Sequence, residues 1–258
     1  SMQGAALFAP AGMAVSNAAK KQDTIRDIAI TGDMTAEDER ALSQSSRDAA
    51  RKFNQFQEEV LKGYQVLVAG GIDDRNDIIV YGNEMARVAT TTRASMEDLG
   101  ATTLALRDNL EIGGDKVKES YNIIASAGKS GQVEIPDMAK FMPQLAPMLA
   151  GAGVKGNEAV AEIASGLQIA RTGAGTNDEA ATNMKNYLSK IFSPDTVKNF
   201  KEAGIDLQAS LVRLQKDGVG ALEGSLMLTM QYMKEKSPQA AAEFKKAMSI
   251  EDAAKREQ

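Results

Sequence analysis

One short phrase recurs along this chain and restricts most of what it can become. Ala69-Gly70-Gly71-Ile72-Asp73, Ala152-Gly153-Val154-Lys155-Gly156 and Ala203-Gly204-Ile205-Asp206 share one pattern: a helix end, a glycine stop, an apolar residue, then a polar residue that opens the next helix. Between such turns apolar residues recur at three- and four-residue spacing, and no period-two run exceeds a few residues. Ile78-Ile79-Val80-Tyr81 is the best strand candidate. It lies inside a longer helical pattern with Ile72, Met85 and Val88, so helix wins. The expected fold class is therefore all-α, an array of short antiparallel helical hairpins with no sheet. Turns near Gly71, Gly113 and Gly153 recur about every forty residues, a spacing that also suits a helical-repeat solenoid.

Start and stop signals divide the chain further. A first helix covers about residues 13–30 and stops at Gly32. Thr35 with Asp38 forms a capping box for a helix to about Lys52. Asn54 caps the next, which ends at Gly70-Gly71. Asp73 or Asp74 opens another to about Thr91, and Ser95 with Asp98 repeats the capping box before a stop at Gly113-Gly114. A helix to about Ala127 is followed by a loop over residues 128–135. Pro136 suits the first turn of a helix to Leu149, which Pro143 and Pro147 should kink or break. Asn157 caps a helix to Arg171, Asn177 one to Phe192, and Ser193-Pro194 one that stops at Gly204. Asp206, Val219 and Ser237-Pro238 open the last three.

Composition narrows the chemistry. The chain has 258 residues and no His, Cys or Trp, so a Ser-His-Asp or Cys-His arrangement, a disulfide and a zinc-cysteine site are all excluded. Aromatic residues make up only 5%, and the core must come from Ala, Leu, Ile, Val and 13 Met, whose flexible side chains fill irregular gaps. A net charge of −5 with no run of five like charges argues against a nucleic-acid surface. The apolar residues 4–15 lack a positive flank and are too short to span a membrane. Ser1-Met2 reads as a remnant of tag removal, and Lys255-Arg256-Glu257-Gln258 as a cut within a helix, so a fragment of a longer protein is expected.

Five patterns invite a chemical reading. Gly151, Gly153 and Gly156 spell GxGxxG, with Asp178 downstream, but the lead-in through Pro143 and Pro147 disqualifies the required strand. Gly128-Lys129-Ser130 resembles the end of a P-loop, yet Ile123 stands where its first glycine belongs, which leaves a helix C-terminus. Asp73, Asp74, Asn76, Asp77 and Glu84 crowd as in a calcium loop. The required glycine is Ile78, so helix capping is the better account. Glu119-Ser120 matches the glutamate-serine pair of lytic transglycosylases, without their downstream Gly-Leu-Met-Gln element. Glu58-Glu59 are adjacent and diverge on a helix. Separately, Met227, Met230 and Met233 with Leu222, Leu226 and Leu228 form an apolar stripe, read first as core and second as an exposed docking surface.

Taken in order, longer stretches carry a resemblance. Pro136-Asp137-Met138-Ala139 is followed by Leu149-Ala150-Gly151-Ala152-Gly153-Val154-Lys155-Gly156-Asn157-Glu158-Ala159. Leu188-Ser189-Lys190-Ile191-Phe192-Ser193-Pro194 and Phe200-Lys201-Glu202-Ala203-Gly204-Ile205 complete the run. Upstream, Ile30-Thr31-Gly32-Asp33-Met34-Thr35-Ala36-Glu37-Asp38 and Leu67-Val68-Ala69-Gly70-Gly71-Ile72-Asp73 extend it. Across residues 30–207 this order resembles the core region of phage tail tape measure proteins. Thr90-Thr91-Thr92, Arg171-Thr172-Gly173, Pro143 and Pro147 depart from the family's alanine- and leucine-rich pattern.

The resemblance implies a structural role in phage or prophage tail assembly, in which the protein lies in the tail-tube lumen, sets tail length and is released at DNA ejection. Its implied partners are the tail-tube protein, tail-tip or baseplate proteins and tail assembly chaperones, with self-association and membrane contact left open and no sequence-specific nucleic acid. It would be made in the bacterial host cytoplasm and reside in the virion tail. No catalytic, cofactor-binding or metal-binding residue is carried over, no cofactor is implied, and the chain is not expected to be an enzyme. The expected organisation is an apolar N-terminal helix over residues 1–31, a tape-measure-like core over 32–207, and C-terminal helices over 208–258 that continue in a longer parent. Two alternatives stand beside this reading: a non-phage helical scaffold for protein interaction, and a peptidoglycan-cleaving domain similar to lytic transglycosylases. A compact fold of this length has a radius of gyration of about 18 Å, whereas one continuous helix reaches about 390 Å. The narrow lumen therefore predicts a rearrangement hinged at the glycine turns.

Overall fold

The computed structural model describes residues 5–114, 116–239 and 242, with side chains from residue 17 onward. Among the described residues there are twelve α-helices and no strand. They are α1 (Ala5–Thr31), α2 (Ala36–Lys52), α3 (Gln57–Ala69), α4 (Arg75–Thr92), α5 (Met96–Leu110) and α6 (Lys116–Ser130). There follow α7 (Ile135–Gly151), α8 (Gly156–Thr172), α9 (Asn177–Ile191), α10 (Pro194–Glu202), α11 (Leu207–Lys216) and α12 (Ala221–Lys236). The readings of Ser1-Met2 and of residues 255–258 lie outside the described residues.

The recurring turn has a single geometry. Gly71, Gly153, Gly204 and Gly218 adopt φ of 83°, 88°, 78° and 82°, the left-handed conformation that a side chain resists. That residue lets the next amide reach back over the last helical turn. Ile72 N donates to Leu67 O, Val154 N to Leu149 O, Ile205 N to Phe200 O and Val219 N to Leu214 O, all at 2.9–3.1 Å. The apolar residue after the glycine is thereby turned inward: Ile72, Val154 and Ile205 are buried, and Val219 is half-buried. Asp33 and Asn54 take the same left-handed role without glycine, with Met34 N bonded to Ala29 O and Gln55 N to Ala50 O.

By contact density the chain divides into two units, Ser1–Leu104 with Gly113–Lys118, and Ala105–Ile112 with Glu119–Gln258. In the first, α2 packs on α1, α3 and α4, and α3 packs on α1 and α4. Its core holds Leu42, Leu67, Ile78 and Met85 around Tyr64 and Tyr81. In the second, α7, α8 and α9 pack mutually around Met138, Met142, Leu149, Ile163 and Leu167. A satellite cluster joins Ile191, Phe200, Ile205, Leu207, Leu211 and Leu228 across α9 to α12. There the Phe200 and Tyr232 rings stack, with centroids 4.9 Å apart.

Several start and stop readings change. Thr35 and Asp38 do form a reciprocal capping box, and Asp74, Ser193 and Asp206 cap as read. Asn54, by contrast, is the left-handed residue after α2, and Phe56 is the N-cap of α3, 80% exposed and without a side-chain bond. Asn157 is the second residue of α8 and Asn177 the first of α9. Lys155 and Thr176 take the cap positions, and Thr176 Oγ1 accepts from Glu179 N. Gly128 does not end α6, which runs on to Ser130. Val219 yields its place to Gly220 as N-cap of α12.

Pro143 and Pro147 break nothing, because α7 is helical throughout. Each proline removes one backbone bond, at about 3 kcal/mol in a helix interior. Here Pro136, Lys140, Pro143, Gln144 and Pro147 form one exposed to half-buried stripe, where water can meet the altered backbone. On the opposite face Met138, Ala139, Met142, Leu145, Ala146 and Leu149 are buried, and that packing holds the helix together.

Candidate functional site

The residues with chemical potential do not converge. Gly151 closes α7 and Gly156 opens α8, so the GxGxxG segment follows a helix where a dinucleotide site needs a strand. Lys155 in its midst pairs with Glu111, and Asp178 lies in the first turn of α9. Gly128-Lys129-Ser130 is the last turn of α6, where the Ser130 hydroxyl donates to Ser126 O at 2.6 Å. Of the acidic run after Gly71, Asp74 accepts from Asn76 N and Asp77 N, and Glu84 pairs with Arg87 at 2.8 Å. Among the described residues no cluster of three or more acidic groups could hold a metal ion. Glu119 is exposed, whereas the Ser120 hydroxyl is buried and donates to Asn157 Oδ1 at 2.6 Å. Glu58 and Glu59 serve different lysines, Lys21 and Lys62.

Ionisation follows structure. Burial pushes the Tyr64 phenol up to about 12, partly countered by its 2.9 Å bond with Ser45 Oγ. Asp38 is held below the usual carboxylate range, first by the Thr35 hydroxyl, then by the Thr35 amide and the charge of Arg75. Lys62 is raised, chiefly by its hydrogen bond to Glu59. These groups serve a core contact, a helix cap and a surface pair.

What the structure does build is a set of polar clips between helices distant in sequence. Gln168 on α8 takes Val133 N on Oε1 and donates from Nε2 to Val133 O and Ala127 O, thereby fastening the α6–α7 loop. Asn177 accepts from Arg171 Nε and donates to Asp137 Oδ2. Tyr187 Oη lies 2.8 Å from Ser225 Oγ, and burial raises its phenol pKa. Glu162 accepts the amides of Ala221 and Leu222, the first two residues of α12. Sequence reading overlooked Glu162. The available signal was a carboxylate among Ala159, Val160, Ile163 and Ala164 on the buried face of α8.

A cleft of about 540 Å³ lies between α8, α9 and α12, bordered by Gly166, Ile169, Met184, Tyr187, Leu222 and Leu226. Its apolar walls suit hydrophobic side chains, and the carboxylate at its edge is already occupied by backbone amides. The Met-Leu stripe of α12 divides across this surface. Leu228 is core, Met230 and Met233 are half-buried, and Met227 is 51% exposed. No helix among the described residues is long and apolar enough to cross a membrane.

Comparison with known proteins places the chain among phage tail proteins. Residues 47–254 match the family model described as phage-related minor tail protein. Over 230 residues, 89% of its length, the chain is 38% identical to a probable tape measure protein of Burkholderia phage BcepMu. That stretch is 27% of the relative, so the chain spans about a quarter of the length of the curated protein it matches. No solved structure matches it. With an all-helical fold and the family match covering most of its residues, the chain belongs to the phage-related minor tail proteins.

Proposed function

We propose that this chain is a structural, noncatalytic segment of a tape measure protein. It lies along the tail-tube lumen during assembly, contributes its length to the ruler, and leaves ahead of the DNA. The observation that carries this reading is the 38% identity to a probable tape measure protein over nearly the whole chain. The all-helical architecture supports it, because a helix converts residue count into length at about 1.5 Å per residue. Tail-tube subunits, tail-tip proteins and tail assembly chaperones are the partners this role requires. Synthesis in the host cytoplasm precedes residence in the virion tail. Packing in the lumen opens the hairpins at the left-handed glycines Gly71, Gly153, Gly204 and Gly218, where the chain reverses and few side chains obstruct rotation.

The test is an in-frame deletion of this segment from its parent phage, with tail length read by electron microscopy. Tails shorter by about 390 Å, the helical rise times the residues removed, are expected. Tails of normal length would remove the segment from the ruler.

A further inference from the structure

Two polar clips, with an open cleft beside them, join the first half of α12 to α8 and α9, while Gly224 rests against Leu211 and Leu214 of α11. Glu162 is only 8% exposed. Its Oε1 accepts from Ala221 N at 2.6 Å and its Oε2 from Leu222 N at 2.7 Å. One turn on, Ser225 Oγ and Tyr187 Oη meet at 2.8 Å. Beside these contacts lies the 540 Å³ cleft bordered by Gly166, Met184 and Leu222, open to solvent along this side of the seam. Gly220 brings the backbone so close that a Cβ there would sit 3.1 Å from Glu162 Oε1. The second half of α12 is held differently. Leu228 and Tyr232 pack with Phe200, Leu207 and Leu211 in the satellite core.

We infer that α12 is a hinged strap, latched at its N-terminal end by Glu162, and that this end lifts from α8 and α9 before the rest of its unit unfolds. Opening frees two amides, returns a buried carboxylate to water and parts Leu222 from Gly166 at the edge of the open cleft. Gly218, at φ 82° in the α11–α12 turn, is the nearby point of backbone freedom. The opened strap uncovers Met184 and Leu222, and the satellite core stays assembled. This behaviour is a property of the isolated chain and stands independently of any role in tail length.

Amide hydrogen exchange on the 258-residue chain tests the latch. Residues 221–225 are expected to exchange through a local opening, faster than α7 and faster than α12 beyond Leu228. In Glu162→Gln the side-chain amide faces one backbone N–H donor to donor, so exchange at 221–225 rises more than about tenfold while α7 is unchanged. Tyr187→Phe, which deletes one hydroxyl, gives a smaller rise confined to the same residues. Wild-type protection of 221–225 equal to that of α7 would overturn the inference, as would a Glu162→Gln effect spread evenly through the unit. If Glu162→Gln does not fold, Tyr187→Phe decides: a confined rise supports the latch, and a uniform rise or none overturns it.

Discussion

The α3–α4 pair of the first unit and the α8–α12 pair of the second both approach at a mid-helix glycine, with opposite consequences. At Gly82 an added Cβ would overlap Tyr64 Cε1 and lie 3.0 Å from Cδ1 and Cζ. That ring is wholly buried, so it has nowhere to go. At Gly166 the nearest atoms are Leu222 Cδ1 at 2.8 Å and Met184 Cε at 2.9 Å, ends of flexible side chains beside a 540 Å³ cleft. Glycine in a helix interior costs about 1 kcal/mol relative to alanine. In α4 the gain is a tight aromatic contact. In α8 it is room for the ends of Leu222 and Met184, which can shift towards the cleft, so that seam is the more yielding of the two.

Alkaline titration gives the largest predicted effect. Tyr64 holds its proton to about pH 12 in the fold, against 10.0 for the ordinary phenol. Its contribution is therefore whole below pH 10 and is lost as pH rises towards 12, because the unfolded chain releases the proton first. Chemical denaturation should show stability falling by about 2–3 kcal/mol across that window, and Tyr64→Phe should flatten the fall. Tyr187, raised in the same direction beside the cleft, should contribute less. An unchanged slope in Tyr64→Phe would mean that the first unit is less closed than its packing indicates.

The glycines test the contrast directly. Gly82→Ala should destabilise by about 2 kcal/mol despite the better helix propensity, since overpacking in a rigid core costs about 1–3 kcal/mol. Thr35→Ala removes the capping box of α2 and should lower stability by about 1 kcal/mol. Gly166→Ala should have the smallest effect and the opposite sign, stabilising by up to about 1 kcal/mol as Met184 and Leu222 move into the cleft. All three are read from denaturant midpoints. Equal and unfavourable shifts for Gly82→Ala and Gly166→Ala would abolish the distinction between the two seams.

The helix ends were legible wherever their bonds are local. Gly71, Gly153 and Gly204 announce left-handed turns, and Thr35-Asp38 and Asp74 announce caps, because the partners lie within six residues. Asn157 and Asn177 misled for the same reason in reverse. Each has the right chemistry for a cap, but Ser120 recruits one, Arg171 and Asp137 the other. Gly151-Gly153-Gly156 falls between α7 and α8, in keeping with a lead-in whose prolines exclude a central strand. The Glu162 latch could not be read, because its partners lie 59 and 60 residues away.

By itself, the sequence determined the all-helical class, the places where the chain reverses, the exclusion of histidine and cysteine chemistry, and the resemblance that the family match bore out. Those depend on short-range periodicity, turn stereochemistry and residue inventory. Only the tertiary structure decided which polar side chains cap helices far from themselves, why α7 survives Pro143 and Pro147, and where the packing is tight or open. Such outcomes turn on which faces meet, and a buried carboxylate or a missing Cβ has its meaning only from the helix placed against it.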